Sequence, residues 1–271
     1  LETGSPNELP VWSYDFQAPV GEFGRVHDSY YALRPLHLFL RDFGHLAAQT
    51  DSILPIWNAQ VPEDGESCRA ALRHFTGKEM GFLCYNGHQR HGSVKERRES
   101  FEIRENGHTA RTPLLYLQPD GYGVFPYASE ESGGLPLTPQ FRVFSSNLQP
   151  LCSLGNDVVF FGEEEPDIIW DGTGEAVCIS GREAAHGLKY LEEGKKKLFT
   201  ADGCLMEEQG KLILLTETAS SEVKVYPEGN TELHFCREIQ PEGQLILLRE
   251  EETYVEYEIR IRGEMTEYLN D

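Results

Sequence analysis

The sequence predicts a mainly β protein, one or more antiparallel β-sandwiches or barrels entered through a single amphipathic helix. From Met80 onward the chain falls into short runs rich in Val, Ile, Leu, Tyr and Phe, separated by Asn86-Gly87, Asn106-Gly107, Asp120-Gly121, Asp171-Gly172 and Asp202-Gly203. Such dipeptides accept the positive φ that tight hairpin turns require, and their recurrence is the pattern of sandwiches and barrels. A 3.6-residue apolar period is read over residues 26–48. The chain's 271 residues also exceed what one ordinary domain needs, so more than one unit is expected.

Taken in order, Leu1 to Pro10 reads as a polar loop. Val11 to Gly24 then mixes aromatics (Trp12, Tyr14, Phe16, Phe23) with the carboxylates Asp15 and Glu22, Pro19 and two glycines. That mixture suits the wall of a sugar site, because aromatic faces stack on the apolar face of a pyranose and carboxylates accept hydrogen bonds from its hydroxyls. A domain opening here would place its most site-like segment at its edge, so a further segment upstream is expected.

In the helix, Tyr31, Leu36, Phe39, Leu40 and Phe43 form an apolar stripe, with Arg34, Arg41 and Asp42 expected to face away. Asp28 or Ser29 is positioned to cap its start, and Gly44 lies near its end. Pro35 removes a backbone hydrogen bond and predicts a kink or a break. The stripe asks for a covering surface outside this chain.

Residues 51–65, with Pro55, Pro62 and Gly65, read as a linker. Strand runs follow at 80–85, 100–104, 114–117, 122–127, 141–145, 158–161, 168–170, 176–179, 211–216, 223–226, 232–236, 244–249 and 254–262. Residues 66–228 are therefore read as an antiparallel β-domain, and 229–271 as its end or the start of another. The alternating run 254–262 predicts an edge strand guarded by outward Glu and Arg, or the first strand of a further domain.

Composition excludes several functions. A formal charge of −21 and a pI near 4.8 oppose binding to nucleic acid or an anionic membrane. The one short basic cluster, Lys95 to Arg98, reads as a solvated turn. No apolar stretch reaches membrane-spanning length, and no signal-peptide pattern is read at the start. The six cysteines contain no Cys-x-x-Cys pair, and Cys84 and Cys178 sit in apolar runs that predict small buried hydrophobes. Free core thiols suit a reducing compartment, so a cytoplasmic location is expected.

Other constellations carry little. Cys84, His88 and His91 match no standard metal-ligand spacing, and neither a metal nor a cofactor is expected. Gly172-x-Gly174 lacks the helix of a phosphate loop, and Ser180-Gly181-Arg182-Glu183 lacks the glycine of a nucleophile elbow. Glu163 to Glu165 reads as a solvated loop.

The segment Ser13-Tyr14-Asp15-Phe16-Gln17-Ala18-Pro19-Val20-Gly21-Glu22-Phe23-Gly24, with Tyr30-Tyr31-Ala32-Leu33-Arg34 after it, resembles the end of the catalytic barrel in β-galactosidases of glycoside hydrolase family thirty-five. Those enzymes carry a Ser-Tyr-Asp-Tyr-Asp-Ala-Pro segment and then a helix with a Tyr-x-Ala-Leu-Arg core. Gly81-Phe82-Leu83-Cys84-Tyr85-Asn86-Gly87-His88-Gln89-Arg90-His91 is similar to a run in the β-domain that follows that barrel. Gln149 to Leu154 and Asp157 to Gly162 fit the same domain, so the resemblance extends to about Glu228.

The resemblance implies that residues 1–50 are the closing strand and helix of a (β/α)8 barrel, followed by antiparallel β-domains. It further implies a substrate-binding wall of Tyr14, Phe16, Asp15 and Glu22, with Tyr14 facing the galactosyl unit and Asp15 turned toward a hydrogen-bond network. Glu22 either joins the site or pairs with an arginine such as Arg25. Phe16 and Gln17 stand where the family usually has tyrosine and aspartate, which alters the pocket. A retaining mechanism needs two carboxyl groups about 5 Å apart. Neither glutamate motif of the family is found here, and Asn7-Glu8 sits in the wrong place to supply one.

The expected function is thus part of a hydrolase cleaving terminal β-galactosides with retention, completed by an upstream barrel segment in the same or a separate chain. A non-catalytic carbohydrate-binding module presenting Trp57 and Trp170, or a structural subunit docking its helix on a catalytic chain, stand as alternatives.

Overall fold

A computed structural model describes residues 18–21, 26–54, 66–67, 69–89, 92–105, 108–192, 194–216, 220–226, 233–235, 242–250 and 255–262. The chain enters its first helix, α1 (Asp28–Ala47), through an antiparallel bridge between Val20 and Val26. His27, not Asp28 or Ser29, is the N-cap residue; it makes no side-chain cap, and its backbone N–H donates to the Pro19 carbonyl at 3.1 Å. The expected break at Pro35 does not occur, and α1 is one continuous element. Burial on both flanks of the proline, at Arg34 and Leu38, holds the helix together across the lost hydrogen bond.

The facing expected for α1 is corrected at three positions, two expected outward and one expected inward. Arg34 and Asp42 point inward, while Leu40 is 47% exposed. The reason is that α1 is covered along a wider arc than its stripe suggests. Phe39, Phe43 and Leu46 enter one core and Leu38 enters a second. Phe39 and Phe43 of the stripe are thus covered by this chain's own sheets, whereas Leu40 is not.

Beyond α1 the described chain is mainly β, with mostly antiparallel sheets. The largest sheet runs Asp51–Ile53, Arg69–His74, Met80–Asn86, Tyr122–Ala128, Phe141–Ser146 and Leu135–Thr138, with Ile168–Gly172 also paired to Phe141–Ser146. Its first strand corrects the start of the expected linker, since Asp51–Ile53 pairs with Arg69–His74. Facing this sheet, Gln149–Leu154 and Asp157–Phe161 form a hairpin, and Ala176–Ile179 joins it in parallel. Between the two lies a core of Phe82, Phe141, Val143, Leu148, Val158 and Phe160.

A second unit repeats this scheme. Leu188–Glu192, Lys195–Ala201, Ser220–Tyr226, Val255–Arg262 and Glu242–Glu250 form one sheet in that order. Cys204–Glu208 and Lys211–Leu215 form a hairpin that takes Leu233–Phe235 in parallel. Val255–Arg262 is flanked on both sides, which corrects the expectation of an edge strand. Phe199, Leu205, Leu212, Leu214, Val223 and Val225 fill the second unit's core.

Other surface expectations change as well. Arg97–Glu99 is a strand paired with Leu115–Leu117, and Arg98 donates to Glu164, so neither the basic cluster nor the acidic run is simply solvated. Cys178 is exposed because its strand turns Val177 and Ile179 inward. Cys152 is buried, and burial pushes its thiol up to about 12. Among the described residues no helix is long and apolar enough to cross a membrane.

The units are joined by a buried ion pair. The Asp42 carboxylate, whose side chain is 7% exposed, receives the Lys189 ammonium, 2% exposed, from the second unit. The same carboxylate oxygen accepts from the Ser153 N–H at 2.8 Å and the Ser153 hydroxyl at 3.2 Å in the first unit. Removing one partner of such a pair leaves an uncompensated charge away from water, costing ~3–5 kcal/mol. Asp42→Ala is accordingly expected to lose stability on that scale in urea titration, whereas the Asp42→Ala, Lys189→Met double variant recovers a large part of it. A single-variant loss under ~1 kcal/mol contradicts this role.

Candidate functional site

The expected wall residues Tyr14, Asp15, Phe16 and Glu22 lie outside the described residues, as do Trp57 and His91. What is described is the junction into which that segment leads. Here α1 presents Tyr30, Tyr31, Ala32 and Arg34 to the β units. Arg34 donates to the Gly187 carbonyl at 3.0 Å, to the Leu205 carbonyl at 3.0 Å and to the Tyr30 hydroxyl. Its guanidinium lies 4.7 Å from the centre of the Tyr30 ring. A planar fork with several fixed donors suits this task, which the point charge of a lysine would not perform. The Ala32 carbonyl accepts from the Tyr122 hydroxyl at 3.1 Å, tying the same turn of helix to the largest sheet.

Tyr31 stacks on His186 with ring centres 4.2 Å apart. Burial, and then the neighbouring Cys204, push its phenol up to about 12, so it stays protonated and cannot serve as a base near neutrality. These side chains position α1 against the β units.

The other motif residues also resolve into packing. A Cβ on Gly81 would lie 2.1 Å from the Arg73 carbonyl oxygen, so only glycine fits against the neighbouring strand. Phe82, Leu83 and Tyr85 are buried, and Gln89 donates to the Ser67 carbonyl at 2.8 Å. Gln149 accepts from the Val124 N–H at 2.9 Å, linking the two layers of the first unit. Trp170, expected as a free aromatic face, is 39% exposed. One face stacks on Phe141 at 5.7 Å, and its indole N–H donates to the Gly174 carbonyl at 3.2 Å.

A second place has the shape of a ligand site and was not anticipated. A cleft of about 830 Å³ opens between the hairpin Glu102–Glu105/His108–Arg111 and the outer part of the largest sheet. The register pairs Glu102 with Arg111 and Arg104 with Thr109, so these four share one hairpin face. The opposite face carries Ile103 and Ala110 into a core with Leu115 and Phe125. Across the cleft stand Phe144, Ile169, Ser129 and Glu130. Hydrogen bonds from Arg104 and Arg111 hold the Glu102 carboxyl below the usual carboxylate range, so it is an ionised acceptor. A proton-donating acid needs the opposite shift. The signal was present in the sequence: Asn106-Gly107 as a two-residue turn already sets Glu102 against Arg111.

Among the described residues no group of three or more His, Cys, Asp or Glu is placed to hold a metal ion. The segment set aside as a poor nucleophile elbow is a helix start. Ser180 and Glu183 cap α2 (Gly181–Ala185) reciprocally, the Ser180 hydroxyl accepting from the Glu183 N–H at 3.2 Å and Glu183 accepting from the Ser180 N–H at 2.9 Å. Glu183 also accepts from Lys224 at 3.0 Å and from the Tyr226 hydroxyl at 3.1 Å.

Comparison with protein-family models, curated proteins and solved structures found no match to this chain.

Burial alone would raise the Glu183 pKa, but the hydrogen bonds from Ser180 and Lys224 outweigh it, and the carboxyl lies below its ordinary value. A depressed folded pKa contributes stability above the unfolded value of about 4.3 and loses it as pH falls through the folded value. Because the group is only half buried, solvent screening limits the effect to about 0.5–1 kcal/mol. Glu183→Gln should therefore be less stable than the parent at pH 7 by that amount. Denaturation midpoints of the two should converge as pH falls below about 4; a gap that widens there would refute the assignment.

Proposed function

We propose that this chain forms the non-catalytic β portion of a family thirty-five β-galactosidase-like hydrolase, together with the last strand and helix of its barrel. The reacting glutamates are supplied by a barrel segment upstream, in the same or a separate chain. The reaction is then hydrolysis of terminal β-galactosides with retention, through two carboxyl groups about 5 Å apart, one acting as nucleophile and the other as acid and base.

The observation that carries this reading is the double use of one stretch. Ser13 to Gly24 resembles the family's closing barrel strand and runs directly into α1. The Tyr-x-Ala-Leu-Arg core that completes the resemblance uses Ala32 and Arg34 to fasten α1 to both β units. A barrel ending in this helix would thereby be coupled rigidly to its β-domains. Tyr14 would then face the galactosyl unit from the barrel's C-terminal end, where barrel enzymes place their sites. Of the described carboxylates, Asp42 and Glu183 hold structural contacts, and Glu102 is kept ionised by two arginines.

The test is release of p-nitrophenol from its β-galactoside by this chain alone and in the presence of the upstream polypeptide. Turnover is expected only with the upstream segment, and the first-formed sugar should be the β-anomer by proton NMR. In the active protein, Tyr14→Ala should lower kcat/KM by at least about tenfold, or ~1.4 kcal/mol. Turnover by the isolated chain, or silence of the combined protein, sinks the reading.

A further inference from the structure

The geometry points to the cleft between the Glu102–Arg111 hairpin and the largest sheet as a binding site for a neutral oligosaccharide. Its volume of about 830 Å³ falls in the range of small-ligand sites, ~300–1,000 Å³. Four polar side chains of one hairpin face, Glu102, Arg104, Thr109 and Arg111, line that space and stay accessible to solvent.

Charge selects the ligand class. Glu102 and Glu130 offset Arg104 and Arg111, so the cleft has no net charge, and the whole chain carries −21. A polyanion is disfavoured by the overall field, and a cation would meet two guanidiniums. A wholly apolar ligand would strip water from four charged groups without replacing their hydrogen bonds. A polyol answers each of these, because every hydroxyl both donates and accepts. The hydrogen bonds to Glu102 use Arg104 Nε and Arg111 Nη2, and the two arginine side chains are otherwise 78% and 72% exposed. Their planar forks offer donors to vicinal hydroxyls, while the ionised Glu102 accepts from a third. Across the cleft, half-buried Phe144 and Ile169, 57% exposed, supply an apolar surface for the C–H face of a sugar ring.

Ser129 is not counted among the ligand contacts, because its hydroxyl already donates to Glu79 at 2.8 Å and accepts from Ser132. The site stands on the lining; the choice of a galactose oligomer as probe alone rests on the hydrolase reading above. Its test reads binding and not turnover, which keeps the two separable.

The experiment is calorimetric titration of the intact chain with β-1,4-galactotetraose, and with inorganic phosphate as an anionic probe. Saturable binding of the tetrasaccharide is expected, with no response to phosphate. Arg104→Ala with Arg111→Ala should weaken it roughly tenfold or more, while Arg182→Ala, in a remote exposed pair with Asp202, should leave it unchanged. Because the double variant could disturb the hairpin, a second readout is the methyl resonance of Ile169 in the unmodified chain. It should shift along the titration, and Ile169→Asp should abolish the heat. Absence of tetrasaccharide binding, binding that survives both variants, or saturable phosphate binding lost with the two arginines overturns the proposal.

Discussion

The carboxylate of Asp42 is the point on which the described molecule turns. It sits one helical face away from the apolar stripe of α1, where elementary periodicity would put it in water. Instead it accepts from Ser153 in one β unit and pairs with Lys189 in the other. Arg34, two turns earlier, does the complementary work by donating to the carbonyls of Gly187 and Leu205. A buried ion pair is weak as a source of net stability, since desolvation consumes much of the attraction. Together, Asp42 and Arg34 fasten α1 to both β units.

That arrangement makes α1 a keel between two β units built alike. Each has a larger sheet facing a hairpin whose third strand joins in parallel. The hairpin Gln149–Leu154/Asp157–Phe161 lies at the middle of the stack. Val158 and Phe160 enter the first core, while Leu151, Cys152 and Val159 enter the second with Leu38 and Leu198. Alternation along a strand thus serves two cores at once, and these strands read as nearly continuous apolar runs.

The clearest local consequence is how single residues tie the layers together. In the described residues Arg34, Gly81 and Gln149 serve assembly: Arg34 clamps, Gly81 allows strands to close, and Gln149 bridges layers. The cleft beside the Glu102–Arg111 hairpin is different in kind, since its polar face is built on a local hairpin and contributes nothing to the central cores.

The sequence by itself determined the β-rich class, the helix near the start and strands such as Met80–Asn86 and Tyr122–Ala128, because alternation, helical period and Asn-Gly or Asp-Gly turns are local properties; Arg69–His74, Gln149–Leu154, Leu188–Glu192, Lys195–Ala201 and Cys204–Glu208 were not expected from it. It also contained the register that opposes Glu102 to Arg111. Only the tertiary structure decided which polar residues are interior. Arg34 and Asp42 looked solvent-facing, Leu40 looked buried, and Val255–Arg262 looked like an edge, each by a local pattern. Those patterns fail where a partner comes from far along the chain. Lys189 lies 147 residues from Asp42, and no period within a helix reports a charge that distant. A helix wedged between two sheets is covered on more than one face, and its buried arc is set by what surrounds it, not by its own apolar stripe.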